Sequence, residues 1–351
     1  MLKHFRKDAQ FLLPRFHLKP SLRSTYSSTI PSMSTRTIKN RPIRLVLDFD
    51  GTISKTDTLK SLAQIGYAHA ARSLPSRKLT PWSEIVSAYM TDYEKHESSY
   101  SPRHNDRRTL EQEREWLNSL LPIERASAAR AVNAGIWDGV NREEIMAAAE
   151  ARTRSGEVQL REGWQALVCR VVEAEGTVDV VSVNWSRWWI WSLLRAGWRQ
   201  WRDSNGSEGE YGEYDALDKV ALFANELPHL GKEQLPLGED TELRTSGDKL
   251  RCMRRGRTGD QRNEEANPFV IYVGDSATDL ECLVEADLGI CVRGKKSLTS
   301  SQRELAGTLD GLVDLQDFER VIAGHNAGTP YVTAATDFVE IERLVFNNLV
   351  D

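Results

Sequence analysis

The sequence has little of several features that mark other classes of protein. Its 4 cysteines in 351 residues include no CxxC pair, which argues against a zinc site and a disulfide framework and suits a reducing compartment. Its 7 histidines form no HExxH motif. No stretch approaches the roughly 18 uninterrupted apolar residues of a membrane helix, so we expect no membrane partner.

Acidic residues are scarce only at the amino terminus. Residues 1–41 contain nine Lys or Arg and one acid, Asp8, whereas the rest of the chain has 37 basic and 50 acidic side chains. The acidic body argues against a nucleic-acid partner, since nucleic acids are bound by basic surfaces.

The basic segment 1–41 is also rich in Ser and Leu, a composition typical of a mitochondrial transit peptide. It is equally compatible with a disordered tail, or with translation that begins at Met33. We therefore expect the protein in the cytoplasm or in mitochondria.

Short apolar runs alternate with amphipathic segments along much of the chain. This alternation predicts an α/β fold, a doubly wound parallel sheet with an inserted helical domain. The clearest strands are residues 43–47, 178–184 and 269–273. We predict a core of 42–56 and 159–325, a helical cap at 57–158 and a carboxyl-terminal tail at 326–351.

The sequence DFDGT, Asp48 to Thr52, follows the first apolar run directly. Taken alone, such a sequence is often only a turn after a strand. However, two carboxylates about 4 Å apart repel each other by roughly 4 kcal/mol at an effective dielectric near 20. A fold that keeps Asp48 and Asp50 together therefore needs a cation or a bound proton.

Two other predicted strands end in polar residues. Ser182 and Asn184 lie at the end of one of them, and Asp275 and Asp279 follow another. Because parallel strands end at the same edge of a sheet, these side chains can converge with Asp48 and Asp50. Four carboxylates and no softer ligand favour Mg²⁺.

The motifs DFDGT, the strand ending in Ser182, a lysine before the last acidic strand, and GDSATD resemble those of the haloacid dehalogenase superfamily of phosphohydrolases. The resemblance covers residues 43–292, and FANEL at 223–227 with SGDK at 246–249 is similar to its phosphoserine phosphatase-like branch. That branch commonly has two glycines after the serine, where this chain has Val183-Asn184-Trp185. Phosphoserine is therefore not assumed as substrate.

The resemblance implies a mechanism. Asp48 would be the nucleophile and form an aspartyl-phosphate, while Asp50 would act as general acid and then as general base. Mg²⁺ would be held by Asp48, the backbone carbonyl of Asp50, and Asp275. Asp279 would support these ligands without binding the metal.

The resemblance also implies a set of phosphate-binding groups. Of these, Lys249 competes with Lys219 and Lys232 for the role of the cation, and we favour Lys249 because it matches the position of the motif. The complete predicted set is Gly51, Thr52, Ser182, Asn184 and Lys249.

The function implied is a Mg²⁺-dependent phosphatase that hydrolyses a small phosphorylated metabolite. Alternatives are a phosphotransferase or phosphomutase, a dehalogenase, and a regulatory protein without turnover. Asp50 argues against the dehalogenase, which has no leaving oxygen to protonate. The retained acids argue against a protein without turnover.

Overall fold

The computed structural model describes residues 41–107, 109–205, 216–230, 242–255, 268–293, 313–314 and 331–348. The basic leader up to residue 40 lies outside the described residues, so the predictions about it are not tested. No helix in the described ranges is both long and apolar enough to cross a lipid bilayer.

The described strands form one parallel sheet in the order β3-β2-β1-β4-β5-β7-β6. The predicted class, a doubly wound parallel α/β sheet, is confirmed. The strands are β1 (Ile43–Leu47), β2 (Thr177–Val181), β3 (Val220–Phe223), β4 (Phe269–Gly274), β5 (Leu288–Val292), β6 (Val313–Asp314) and β7 (Tyr331–Ala335).

Both faces of the sheet are covered. Successive side chains of a strand point to opposite faces, and Leu45 and Leu47 accordingly pack in one apolar core while Val46 packs in the other. In β4, Tyr272 shares the core of Val46. Burial on both sides explains why these strands are continuous apolar runs in the sequence.

Six of the described helices come between β1 and β2, and five of them lie in the segment that we predicted as a helical cap. The boundaries of the domains remain a prediction. The helices are α1 (Leu59–Ser73), α2 (Trp82–Ser99), α3 (Leu110–Ser119), α4 (Leu121–Asn133), α5 (Arg142–Ser155), α6 (Trp164–Glu173), α7 (Arg187–Asn205), α8 (Ser246–Arg255), α9 (Leu280–Glu285) and α10 (Phe338–Asn348).

Local sequence signals account for the ends of some of these helices. Asn141 and Glu144 form a capping box at the start of α5, because each side chain bonds the backbone amide of the other. The same helix ends at Gly156, whose φ of 77° is the left-handed conformation that glycine adopts at little cost.

Two short segments connect the helical block to the sheet. They run antiparallel, with a bridge between Ser54 and Leu160. The amide of Lys55 donates to the Gln159 carbonyl, and that of Arg161 donates to the Ile53 carbonyl, both at 2.8 Å. The block therefore enters and leaves the core through one paired connection beside the DFDGT sequence.

The segment that we assigned to a carboxyl-terminal tail contains part of the core. Strand β7 lies between β5 and β6 in the sheet, and Phe338 and Ile341 of α10 are fully buried. The strand YVTAA ends in small side chains, whose apolar signal in the sequence is weak. Only its neighbours in the sheet make it a strand.

Helix α1 approaches the rest of the helical block very closely at Gly66. A Cβ atom built there would lie 2.0 Å from the backbone carbonyl oxygen of Ile136.

We expect Gly66→Ala to lower the free energy of unfolding by about 1–3 kcal/mol, the usual cost of overpacking, although alanine is the better helix former. Urea denaturation would measure this. The control Lys60→Ala, at an exposed position of the same helix, should stay within about 0.5 kcal/mol of wild type, and a G66A protein as stable as wild type would contradict the packing argument.

Candidate active site

The strand register brings three of the predicted motifs to one edge of the sheet. Leu47, the last residue of β1, is level with Val180 of β2 and with Val273 of β4. The residues that follow each strand, Asp48, Ser182 and Asp275, are therefore at the same carboxyl edge. The amide of Asp48 also donates to the Val273 carbonyl at 2.9 Å.

A tight π-helical turn, Phe49–Ile53, follows β1 and depends on glycine. Gly51 has a φ of 85°, and a Cβ atom there would lie 2.4 Å from Oδ2 of Asp275. Both the backbone conformation and the contact therefore exclude a larger residue. The turn directs Thr52 inward, where its Oγ1 donates to Asp48 Oδ2 at 3.1 Å.

The cation of the site is Lys249, near the start of α8. Its Nζ lies 2.6 Å from Asp48 Oδ1 and 2.7 Å from Asp279 Oδ1, and the side chain is completely buried. The competitor Lys219 is exposed at the opposite, amino edge of β3. Lys232 lies outside the described residues.

Both oxygens of Asp279 are occupied by hydrogen-bond donors. Oδ1 accepts from Lys249 Nζ and from the Tyr272 hydroxyl, each at 2.7 Å. Oδ2 accepts from the amides of Asp275 and Ser276 and from the Ser276 hydroxyl at 3.0–3.1 Å. Few acceptor positions remain for a metal, which supports the prediction that Asp279 lies outside the ligand set.

Asp275 is also buried, but far fewer hydrogen-bond donors compensate the charge of its carboxylate. Among the described residues, its side chain accepts one long hydrogen bond, 3.5 Å, from Thr52 Oγ1. Its carboxylate oxygens belong to a group with Asp48 and Asp279 in which one oxygen of each lies within 4.8 Å of the others. A buried carboxylate without a close donor needs a cation, and hard oxygen ligands fit Mg²⁺. Asp48 and Asp275 are the two carboxylates that fit this role.

The pKa values of the site follow from burial and mutual repulsion. Burial, followed by the charge of Asp279, raises the pKa of Asp48 to about 7, although Lys249 opposes the shift. Burial and the charge of Asp48 raise the pKa of Asp275 well above its usual value. Burial lowers the pKa of Lys249, but Asp279 and Asp48 outweigh it and raise the net pKa. The site without metal thus disfavours further negative charge.

Asp50 has different surroundings, because its hydrogen-bond partners carry no charge. Oδ1 accepts from the Thr58 amide at 2.9 Å and from the Thr58 hydroxyl at 2.8 Å, and Oδ2 accepts from Asn184 Nδ2 at 2.6 Å. Burial and then the charge of Asp57 raise the pKa of Asp50 to about 7. A carboxyl group with this pKa can give and take a proton near neutrality.

The structure places the Asn184 side chain in contact with Asp50. Its Nδ2 donates to Asp50 and to the Thr58 hydroxyl, so both amide hydrogens are used within the protein. Its Oδ1 accepts from the Ser186 amide at 3.2 Å. A phosphoryl oxygen would have to displace one of these bonds, and the predicted role of Asn184 in phosphate binding remains a prediction.

Ser182 keeps a hydroxyl hydrogen that no hydrogen bond among the described residues uses. Its Oγ accepts from the Asn184 amide at 3.1 Å, and the residue is buried. The amide of Gly51 donates to Ser54 Oγ at 3.3 Å, which is a long bond. The roles of Ser182, Gly51 and Thr52 in phosphate binding remain predictions.

Three residues at the site were missed from the sequence. Thr58 bonds Asp50, Tyr272 bonds Asp279, and Arg161 donates to the carbonyls of Gly51 and Thr52 at 2.9 and 3.0 Å. Tyr272 sits in a strand where an aromatic residue signals only burial. Thr58 is one of several polar residues between the DFDGT sequence and the next helix, and nothing local distinguishes it or Arg161.

Comparison with known proteins gives distant relatives. No protein-family profile matches the chain. It is 24% identical over 266 residues to the bifunctional TH2 protein, mitochondrial, of Arabidopsis thaliana, which covers 72% of this chain and 39% of that protein. It is 24% identical over 257 residues to cold tolerance protein 1 of Saccharomyces cerevisiae, covering 67% of this chain and 74% of the relative.

Among solved structures, a phospho-aspartyl intermediate analogue of phosphoserine phosphatase is 13% identical, with coverage of 89% and 100% of the two chains and a TM-score of 0.41. The architecture itself is more informative. A parallel sheet has an acidic motif after β1, a helical insertion before β2, a buried lysine, and a second acidic motif after β4. This order of elements agrees with the fold that the sequence resemblance to the haloacid dehalogenase superfamily implies.

The contrast between Asp275 and Asp279 generates a paired prediction. In the absence of metal, Asp279→Asn should lower the free energy of unfolding by about 3 kcal/mol, because it breaks a buried ion pair with Lys249. Asp275→Asn should leave it unchanged or raise it, because that carboxylate is poorly compensated. Thermal or urea unfolding with EDTA would measure both.

Added Mg²⁺ should then raise the melting temperature of the wild type, since a ligand of the folded state stabilises it. The shift should vanish in the Asp275→Asn protein. Equal Mg²⁺ stabilisation of that variant and wild type would rule out Asp275 as a ligand.

Proposed function

We propose that this protein is a Mg²⁺-dependent phosphatase that hydrolyses a small-molecule phosphomonoester through an aspartyl-phosphate on Asp48. The observation that carries the proposal is the buried contact of Asp48 with Lys249, beside the poorly compensated Asp275. It supports the role of Asp48 as a nucleophilic carboxylate, in a site whose negative charge calls for a bound cation.

In the first step, a carboxylate oxygen of Asp48 forms a bond to phosphorus while the bond from phosphorus to the leaving oxygen breaks. Protonated Asp50 gives its proton to that oxygen, and the alcohol leaves. The raised pKa of Asp50, about 7, supports this role because a substantial fraction of the group is protonated near neutral pH.

In the second step, Asp50 accepts a proton from a water molecule. The water oxygen bonds to phosphorus, the acyl-phosphate bond breaks, and Asp48 returns as a carboxylate with release of inorganic phosphate. One residue can serve both steps because the first leaves it deprotonated.

Positioned positive charge supplies most of the catalysis in phosphoryl transfer. Lys249 would neutralise charge on Asp48 and on the phosphoryl oxygens, and the Ser182 hydroxyl would donate to one of those oxygens. Mg²⁺ held by Asp48, Asp275 and the Asp50 carbonyl would add further neutralisation.

Helices α1 to α5 would act as a cap over the site. Asn118 of α3 lies within 3.4 Å of the Thr245 hydroxyl beside α8. Elsewhere, Arg125 of α4 pairs with Glu242 at 2.8 Å, and His229 contacts the Val140 carbonyl at 2.9 Å. A helical block held to the core at several points supports a small, enclosed substrate over a macromolecular one.

The basic composition of residues 1–41 supports a mitochondrial location, as does the name of the Arabidopsis relative. The cytoplasm is the alternative. Detection of the full-length protein in purified mitochondria would distinguish them.

The nucleophile assignment gives a direct test. Wild-type protein should hydrolyse p-nitrophenyl phosphate only with Mg²⁺, and Asp48→Asn should reduce kcat/KM to background because the amide cannot form the aspartyl-phosphate. The matched control is Asp179→Asn, another buried carboxylate, which pairs with Arg44 in the interior of the sheet. It should retain activity per folded molecule. Activity that survives in Asp48→Asn would refute the mechanism, and phosphate transfer to an added sugar without net release would indicate a phosphotransferase.

A further inference from the structure

The Thr58 hydroxyl is held in a single orientation. It lies 3.0 Å from Trp189 Nε1 and 3.2 Å from Asn184 Nδ2, and both of these groups can only donate hydrogen bonds. They occupy the two acceptor positions of the hydroxyl oxygen. The one hydroxyl hydrogen must therefore be directed at Asp50 Oδ1, which lies 2.8 Å away.

The two oxygens of Asp50 consequently differ. Oδ1 accepts two hydrogen bonds from Thr58, and neither donor can accept a proton in return. Within the described part of the chain, Oδ2 accepts one hydrogen bond, from Asn184. When Asp50 is protonated, Oδ2 is the oxygen with an acceptor position left to carry the proton.

The Asn184 amide is itself fixed by the residues around it. Its Oδ1 accepts from the Ser186 amide, which determines the end of the amide that faces Asp50. The backbone is also held, because Asn225 Nδ2 donates to the backbone carbonyl of Asn184 at 2.8 Å. Asn184, Thr58 and Trp189 are all essentially inaccessible to solvent, so water does not compete for these bonds.

We propose that Asn184 and Thr58 are positioning residues that hold Asp50 so that Oδ2 carries its transferable proton toward the leaving oxygen. The inference rests on the proposed phosphatase function and deepens it. Trp189 supports the arrangement by orienting the Thr58 hydroxyl. None of these three residues touches the phosphoryl group in this proposal.

The leaving group decides how much this positioning matters. A p-nitrophenolate leaves readily without a proton, whereas an unsubstituted phenolate is a stronger base and benefits from general-acid catalysis. Phenyl phosphate and p-nitrophenyl phosphate have similar shapes, so they separate proton transfer from binding.

We expect Asn184→Leu to reduce kcat/KM for phenyl phosphate at least about 10-fold more than for p-nitrophenyl phosphate, within the usual range of a general-acid contribution. Thr58→Val should act in the same direction, and Thr58→Ser, which keeps a hydroxyl, should restore the wild-type ratio. These Thr58 variants keep the test available if Asn184→Leu fails to fold.

The matched control is Gln165→Leu. Gln165 is also a buried amide, and it joins α6 to α7 by donating to the Gly197 carbonyl at 3.2 Å, with no contact to Asp50. Its loss should change stability but leave the ratio of the two substrates unchanged.

Equal losses on both substrates in the Asn184 and Thr58 variants, or no loss, would overturn the positioning role. Failure of the proposed function has a different signature. In that case the wild type itself would hydrolyse neither ester, or Asp48→Asn would remain active.

Discussion

The buried ammonium group of Lys249 between Asp48 and Asp279 is the interaction on which the rest of the site depends. These residues are far apart in sequence, since 201 positions separate Lys249 from Asp48. Buried charges are expensive unless they are paired and hydrogen-bonded. The ion pairs can therefore form only when β1, α8 and the turn after β4 are assembled together. Folding of the sheet and formation of the site are coupled in this way.

This interaction also explains why the neighbouring acids differ. Both oxygens of Asp279 accept hydrogen bonds, from Lys249, from Tyr272 and from the turn at Ser276. Asp279 therefore holds the lysine in position. Asp275 follows the same strand, four residues earlier. Among the described residues it accepts one long hydrogen bond, so its negative charge remains to be compensated. Lys249 forms ion pairs with Asp48 and Asp279 but not with Asp275, and the negative charge that remains suits a divalent metal.

Asp48 and Asp50 are two positions apart, yet the turn at Gly51 places them in different environments. Asp48 faces a cation, whereas Asp50 faces the uncharged donors of Thr58 and Asn184. The first environment suits a nucleophile whose negative charge is neutralised by a cation. The second suits a group that gives and takes a proton, because neutral donors fix its orientation without adding a charge.

Much of the core was predictable, because β1 and β4 are buried on both faces and therefore appear as continuous apolar runs. Strand β7 was not, because its small side chains carry a weak signal and only β5 and β6 on either side make it part of the sheet. The place of Asn184 at the end of a predicted strand gave no sign of its contact with Asp50. A sequence places a residue after a strand without indicating which atoms its side chain meets.

The sequence by itself determined the chemical types in the site and their order along the chain: two acids after the first strand, a serine, a lysine, and two further acids. These follow from local patterns of polarity and hydrophobicity. The tertiary structure alone decided that Lys249 rather than Lys219 meets Asp48, and that Asn184 bonds Asp50. Those outcomes depend on strand register and side-chain direction, which are set by packing between segments distant in the chain.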